Sequence, residues 1–131
     1  MKTEKKTVLF VEDENDLVDA YHLIFDDHGY RFLSTASIKD ATMLCEREKI
    51  DLILLDILLP SEDGELKKMG FVFLKDLKAN PKTKDIPVVI LTNLEAYSDK
   101  QEGMKLGAQA YLIKSAKTPV QVLVKVEEIL K

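Results

Sequence analysis

The chain has little cysteine, little glycine or proline, no long apolar run and no excess of basic charge. Cys45 is the sole cysteine, so no internal disulfide supports the fold, and the composition suits a reducing compartment. Five glycines and four prolines are scattered rather than clustered. No linker, low-complexity tract or short-period repeat divides the chain. No apolar segment approaches the ~18–20 residues of a membrane span. The apolar run Thr7–Val11 behind "MKTEKK" is too short for the core of a signal peptide. Nineteen Lys and Arg against 23 Asp and Glu give a net charge of -4 and a pI of about 5.2. That balance argues against the basic face of a nucleic-acid-binding domain, although it leaves local basic patches open. The expectation is a cytoplasmic protein that binds neither membrane nor nucleic acid.

What is present is ordinary for a globular domain: 46% hydrophobic and 32% charged residues in a chain of 131. That length makes one domain with a core large enough to need no staples. Residues 1–131 are expected to form that domain, with no output domain attached. Short apolar runs alternate with longer amphipathic ones. "TVLFV", "YRFLST", "DLILLD", "IPVVILT" and "QAYLIK" read as strands. Between and after them lie five helical patterns. The first carries Leu17, Tyr21, Ile24 and Phe25 and stops near Gly29. The second has Ser37 as N-cap and Ile38, Ala41, Leu44 and Cys45 on its apolar side. The third carries Phe71, Leu74 and Leu77 before Pro81. The fourth, "AYSDKQEGMKLGA", is interrupted by Gly103. The fifth has Thr118 as N-cap, Pro119 at its first position and more Val, Leu and Ile than one apolar stripe needs. Val120 and Val124 are expected to stay partly exposed on its shoulder. Strand–helix alternation repeated five times predicts a single doubly wound α/β domain of flavodoxin-like (βα)5 type. Its sheet has five parallel strands, with helices on both faces.

In such a fold ligands bind beyond the carboxyl ends of the strands. Strand one is followed there by Glu12 and Asp13, strand three by Asp56, strand four by Thr92 and Asn93, and strand five by Lys114. Each has a plain alternative. Asp56 is a possible strand-end turn residue, Asp13 a helix cap, Thr92 a β-branched strand residue and Lys114 a solvated lysine. Their joint placement points instead to one site. Three close carboxylates raise one another's pKa values. A hard divalent cation relieves that repulsion, and Mg²⁺ takes one or two carboxylates together with waters and phosphate oxygens. A hydroxyl and an ammonium suit phosphoryl oxygens.

These motifs together resemble the receiver domain of response regulators, the CheY-like phosphorylation switches, over essentially the whole chain. "VLFVEDE" is similar to the family's first strand with its acidic pair, "DLILLDILLP" to the phosphoacceptor strand, "VVILT" to the fourth strand and "GAQAYLIK" to the fifth. The resemblance implies that Asp56 is the phosphoacceptor, taking a phosphoryl group from a histidine kinase, a phosphotransfer protein or a small phosphodonor to form an aspartyl phosphate. It implies Mg²⁺ held by Asp13, Asp56 and the backbone carbonyl of Leu58, with Glu12 acting through water. Thr92 and Lys114 would bond the phosphoryl oxygens. Movement of Thr92 would let Tyr111 turn inward and reshape the surface of the fourth helix, fifth strand and fifth helix for an output protein. Taken alone, Tyr111 reads as a half-buried strand aromatic with an exposed hydroxyl. The implied protein is a two-component or phosphorelay switch, not a turnover enzyme, and a monomer or weak homodimer.

Three features depart from the family pattern. Ser115 stands where a proline with a cis bond usually follows the lysine. Without proline a cis bond costs about 2.5–4 kcal/mol, so a trans bond, or a strained cis bond held by the site, is expected. Asn93 replaces the usual small residue after Thr92 and either narrows access to the phosphoryl group or donates to it. Leu58 and Leu94 flank the expected path of a hydrolytic water. Slow self-dephosphorylation follows as an expectation, and a phosphoryl half-life of seconds in the purified protein would contradict it. Finally, "SEDGELKKMG" lengthens the segment before the third helix. It is expected to be either a tolerated surface loop or a partner-contact element, unless that helix starts early, near Glu65.

Three other functions are open to such a fold. A receiver-like interaction module that takes no phosphoryl group would account for Ser115 and Asn93, and magnesium binding discriminates it. An aspartyl phosphatase is opposed by Leu58, which stands where a second acid is needed. Flavin binding is opposed by the acidic loop "EDENDL", which lacks the small and hydroxyl residues of a phosphate-binding loop.

Overall fold

The computed structural model describes residues 4–131. Strand β1 (Thr7–Val11) is followed by α1 (Asn15–Asp27), β2 (Arg31–Thr35), α2 (Ile38–Arg47) and β3 (Leu52–Leu55). Two short strands, β4 (Leu59–Pro60) and β5 (Leu66–Lys67), precede α3 (Met69–Ala79). Then come β6 (Val88–Thr92), α4 (Tyr97–Lys105), β7 (Ala110–Ile113), a 3-10 turn over Lys114–Ala116, and α5 (Pro119–Leu130). The main sheet is parallel throughout, in the order β2-β1-β3-β6-β7. Every residue of β1, β3 and β6 is buried, which explains their unbroken apolar character.

The sheet separates two cores. On one face Phe10, Leu54 and Leu91 meet Tyr21 and Phe25 of α1 and Val122, Leu123 and Val126 of α5. On the other, Leu9, Ile53 and Ile90 meet Ala41 of α2 and Phe73, Leu74 and Leu77 of α3. Phe71 and Cys45, expected on apolar faces, are only partly buried against this second core. Burial and Glu46 push the Cys45 thiol up to about 11, so it stays protonated near neutral pH. Thr118 accepts the Gln121 N–H while the Gln121 side chain accepts the Thr118 N–H, a reciprocal cap that fixes the start of α5. Val120 and Val124 are 49% and 48% exposed, on its outer shoulder as expected. Among the described residues no helix is long and apolar enough to cross a membrane.

The chain runs outward from β1 to β2, returns to β3 and continues to β6 and β7. Its direction of growth reverses between β1 and β3, and a crevice forms where the loops part. The segment after Pro60 is a structured hairpin in which β4 and β5 pair antiparallel. Ser61 N–H donates to the Glu65 carbonyl, and Gly64, at φ +86°, makes the turn. Helix α3 begins at Met69, so it does not start early at Glu65. The hairpin is also anchored: Lys68 Nζ lies 2.7 Å from the nearly buried Asp99 carboxylate in the first turn of α4.

Candidate functional site

Strand β1 ends by sending Glu12 and Asp13 over the crevice, and β3 sends Asp56. Glu12 and Asp56 are 3% and 4% exposed, whereas Asp13 is exposed. One carboxylate oxygen from each of Glu12, Asp13 and Asp56 lies within 4.8 Å of the others. Glu12 Oε2 accepts the N–H groups of Asp13 and Glu14, both at 3.1 Å, which holds this carboxylate at the strand end. Asp56 Oδ1 accepts its neighbour Ile57's N–H at 2.7 Å. Asp13 does not cap α1: the residue before that helix is Glu14, and no side chain makes the capping bond.

Lys114, at the end of β7, crosses to the same place. Its Nζ donates to Asp56 Oδ2 at 2.8 Å and lies 2.7 Å from Glu12 Oε1. The second contact is an ion pair without hydrogen-bond geometry. Among the described residues, Glu12 Oε1 is the one buried side-chain polar atom left without a hydrogen bond. Burial, reinforced by the charge of Asp56, pushes the Glu12 carboxyl up to about 7 although Lys114 opposes it. Burial alone would lower Lys114, but the bond to Asp56 and the negative charges of Asp56 and Glu12 prevail and hold it above the usual lysine value. One ammonium against three acids leaves the cluster short of positive charge. Hard oxygen donors, an excess of negative charge and an unsatisfied buried oxygen fit a divalent cation such as Mg²⁺.

Thr92 closes β6, 1% exposed, with its Oγ1 loosely accepting the Leu94 N–H at 3.4 Å. Tyr111 lies on β7, half-buried, and its hydroxyl donates to the Leu94 carbonyl at 2.7 Å. The hydroxyl is therefore engaged rather than free. Burial, then the charges of Asp99 and Asp56, push it up to about 12. Gly103, which interrupts the sequence pattern of α4, lets the helix lie on this ring. A Cβ there would stand 3.3 Å from Tyr111 Cδ2 and 2.5 Å from Ile90 Cδ1. Thus Glu12, Asp13, Asp56 and Lys114 meet directly, while Thr92 and Tyr111 stand one step away and are joined through the backbone of Leu94.

Two contacts near the site join segments that the sequence presents separately. Gly70 is pressed against the Asp56 carbonyl, and its N–H donates to Ile57 O at 2.9 Å, so the start of α3 buttresses the Asp56 loop. The Lys114–Ser115 bond is trans, and Ser115 N–H donates to Asn93 Oδ1 at 2.9 Å. Asn93 is therefore an acceptor for Ser115. The expectation that it donates toward the site has no counterpart among the described hydrogen bonds.

Residues 8–126 match the family model described as the response regulator receiver domain. The chain belongs to the response regulator receiver domain family of two-component systems. It is 37% identical over 110 residues to the transcriptional regulatory protein VxrB of Vibrio cholerae, covering 84% of this chain and 40% of that protein. The chain thus spans less than half the length of this curated relative. Among solved structures, the chemotaxis protein CheY4 of Vibrio cholerae superposes with a TM-score of 0.83 at 25% identity, covering 96% of this chain and 99% of the other. The BeF3-activated N-terminal receiver domain of RstA from Klebsiella pneumoniae gives 0.81 at 26% identity, covering 96% and 99%. Receiver domains are signalling switches that bind Mg²⁺ at an acidic pocket, rather than enzymes turning over an external substrate.

Proposed function

We propose that this chain is the phosphorylation switch of a two-component or phosphorelay system, with Asp56 as phosphoacceptor and a histidine kinase, a phosphotransfer protein or a small phosphodonor supplying the group. The observation that carries the reading is the Lys114 ammonium 2.8 Å from Asp56 Oδ2, beside an acidic cluster that lacks positive charge. Within the cluster Asp56 is the acid that accepts a hydrogen bond from Lys114; Glu12 meets the ammonium only as an ion pair, and its other oxygen is held by the N–H groups of Asp13 and Glu14. Its carboxylate attacks phosphorus in line, the bond from phosphorus to the donor's leaving atom breaks, and an acyl phosphate forms on Asp56. Bound Mg²⁺ supplies charge neutralisation to the transferring phosphoryl group. Asp13, Asp56 and the backbone carbonyl of Leu58 would hold it, with Glu12 acting through water.

Once the phosphoryl group is on Asp56, Lys114 shifts its donors to a phosphoryl oxygen, and the Thr92 hydroxyl, which accepts only weakly from Leu94 N–H, turns to donate to another. The Tyr111 hydroxyl is held by Leu94 O, two residues from Thr92, so displacement of this segment releases the ring inward. The surface of α4, β7 and α5 changes with it, and an output protein reads that change. Asn93 and Leu94 flank this movement. Residues 4–131 behave in this reading as one receiver domain in the cytoplasm.

Amide NMR with beryllium fluoride, a stand-in for the phosphoryl group, tests the switch. With Mg²⁺ present, the signals of Thr92, Tyr111 and residues of α4 are expected to move together. No movement, with Mg²⁺ also failing to shift Asp13 and Asp56, favours an interaction module that takes no phosphoryl group.

A further inference from the structure

Asn93 follows Thr92 and Ser115 follows Lys114, so each stands just past a residue of the acidic edge. Their strands are neighbours, with Thr92 paired to Ile113, and the two chains leave the sheet side by side. Lys114–Ala116 coil into a single 3-10 turn, closed weakly by Lys117 N–H on the Lys114 carbonyl at 3.3 Å. A turn this short satisfies few of its own groups, and the N–H groups at its start need outside acceptors. Asn93 Oδ1 is such an acceptor, 2.9 Å from the Ser115 nitrogen. Because that nitrogen can only donate, the side-chain atom facing it is the amide oxygen, which fixes the orientation of Asn93. Proline at residue 115 would have no N–H to offer, and a small residue at 93 would have no oxygen to receive it. The two unusual residues of this edge are therefore each other's partners.

We propose that Asn93 is a positioning residue for Lys114: its side-chain carbonyl, by holding the Ser115 N–H, fixes the trans turn from which the ammonium reaches Asp56. For phosphoryl transfer this rests on the proposed switch function. It also opposes the simpler role of Asn93 as a steric gate over Asp56, because the two roles give effects of opposite sign. A gate made smaller admits the donor faster. A lost acceptor lets the turn drift and takes Lys114 away from Asp56, which slows transfer. The bond lies at the surface, where water competes for both partners, so the effect is moderate.

The test uses Asn93→Ala, which removes both acceptor and bulk, and Asn93→Leu, which keeps most of the bulk without the acceptor. Phosphorylation by acetyl phosphate in excess Mg²⁺ is followed by intact mass. Both variants are expected to slow the rate at saturating donor by about 3–10-fold, the effect of losing one modest hydrogen bond, with little change in the donor concentration for half-saturation. In a Lys114→Met background the Asn93 substitutions are expected to add nothing, since the residue acts through that lysine. Without any phosphodonor, NMR is expected to show faster exchange of the Ser115 amide proton and loss of the ordered Lys114 ammonium signal in both variants. The Gln121 amide at the α5 cap is expected to stay unchanged. Rates equal to or above wild type in Asn93→Ala, or a full Asn93 effect persisting without Lys114, overturn the proposal. If wild type takes no phosphoryl group, the switch reading fails separately. The Lys114 ammonium signal then still decides whether Asn93 holds the lysine, and an unchanged signal in both variants overturns that claim too.

Discussion

Replacing Gly70 with alanine is expected to destabilise the protein by about 3 kcal/mol, lower its Tm by about 10 °C and slow phosphorylation of Asp56. A Cβ at residue 70 would lie 2.3 Å from the Asp56 carbonyl oxygen and 2.7 Å from Ile57 Cα. Both neighbours are backbone, so no side chain can rotate away. Either α3 or the loop after β3 must move, and the hydrogen bond from Gly70 N–H to Ile57 O goes with it. Overpacking of this kind usually costs about 1–3 kcal/mol, and the absence of a flexible neighbour places this case at the upper end. Helix propensity favours alanine by only about 1 kcal/mol. Gly64→Ala is the control. Its φ of +86° strains any side chain, but nothing lies within 4 Å, so a loss of about 1 kcal/mol with phosphorylation unchanged is expected. Thermal unfolding and the acetyl phosphate rate check both. A Tm within about 3 °C of wild type for Gly70→Ala would contradict the buttress.

Lys114→Met carries the second large effect. The substitution keeps most of the unbranched side chain and removes the cation that faces Glu12 and Asp56. Removing one partner of a buried charge pair costs about 3–5 kcal/mol; the Lys114 side chain keeps 12% of its surface exposed, so about 2 kcal/mol is expected in metal-free protein at pH 8. The pH dependence has a definite sign. Glu12 in the folded wild type titrates near 7, against 4.5 for an ordinary glutamate. The folded protein therefore binds the proton more tightly than the unfolded chain does. This group lowers stability above pH 7, and the penalty fades as pH falls from about 7 toward 4.5. Without Lys114, which opposes the upward shift, the Glu12 carboxyl rises further, so the variant should recover most of its loss at pH 5 and also in Mg²⁺. Phosphorylation should not recover, since the missing donor to the phosphoryl oxygen costs about 10–100-fold. Urea unfolding at pH 5 and 8, with chelator or Mg²⁺, reads the first effect. A deficit independent of pH and of Mg²⁺ would contradict the electrostatic account.

The strands and helices were legible because each is a run of one period: unbroken apolar residues in β1, β3 and β6, and 3.6-residue spacing in α1, α2 and α5. The acidic edge was legible for a related reason. An all-parallel sheet puts every strand's carboxyl end on one side, so the residues after each run converge without knowledge of packing. The rest depended on contacts between distant segments. Strands β4 and β5 have two residues each, too short to show alternation, and "SEDG" between them reads as loop. Gly103 looked like an interruption because its partner, the Tyr111 ring, lies on another element. Ser115 and Asn93 looked like separate departures because a side-chain oxygen meeting a backbone N–H leaves no pattern in either segment. The anchoring of the hairpin by Lys68 on Asp99 is hidden for the same reason.

The most direct test of the central claim is intact mass, with peptide mapping, after incubation with acetyl phosphate and Mg²⁺. Wild type is expected to gain one phosphoryl group on the peptide containing Asp56. Asp56→Asn is expected to gain none, and chelating Mg²⁺ should abolish the gain in wild type. A phosphoryl group on Asp56→Asn, or on wild type at any residue other than Asp56, would contradict the account.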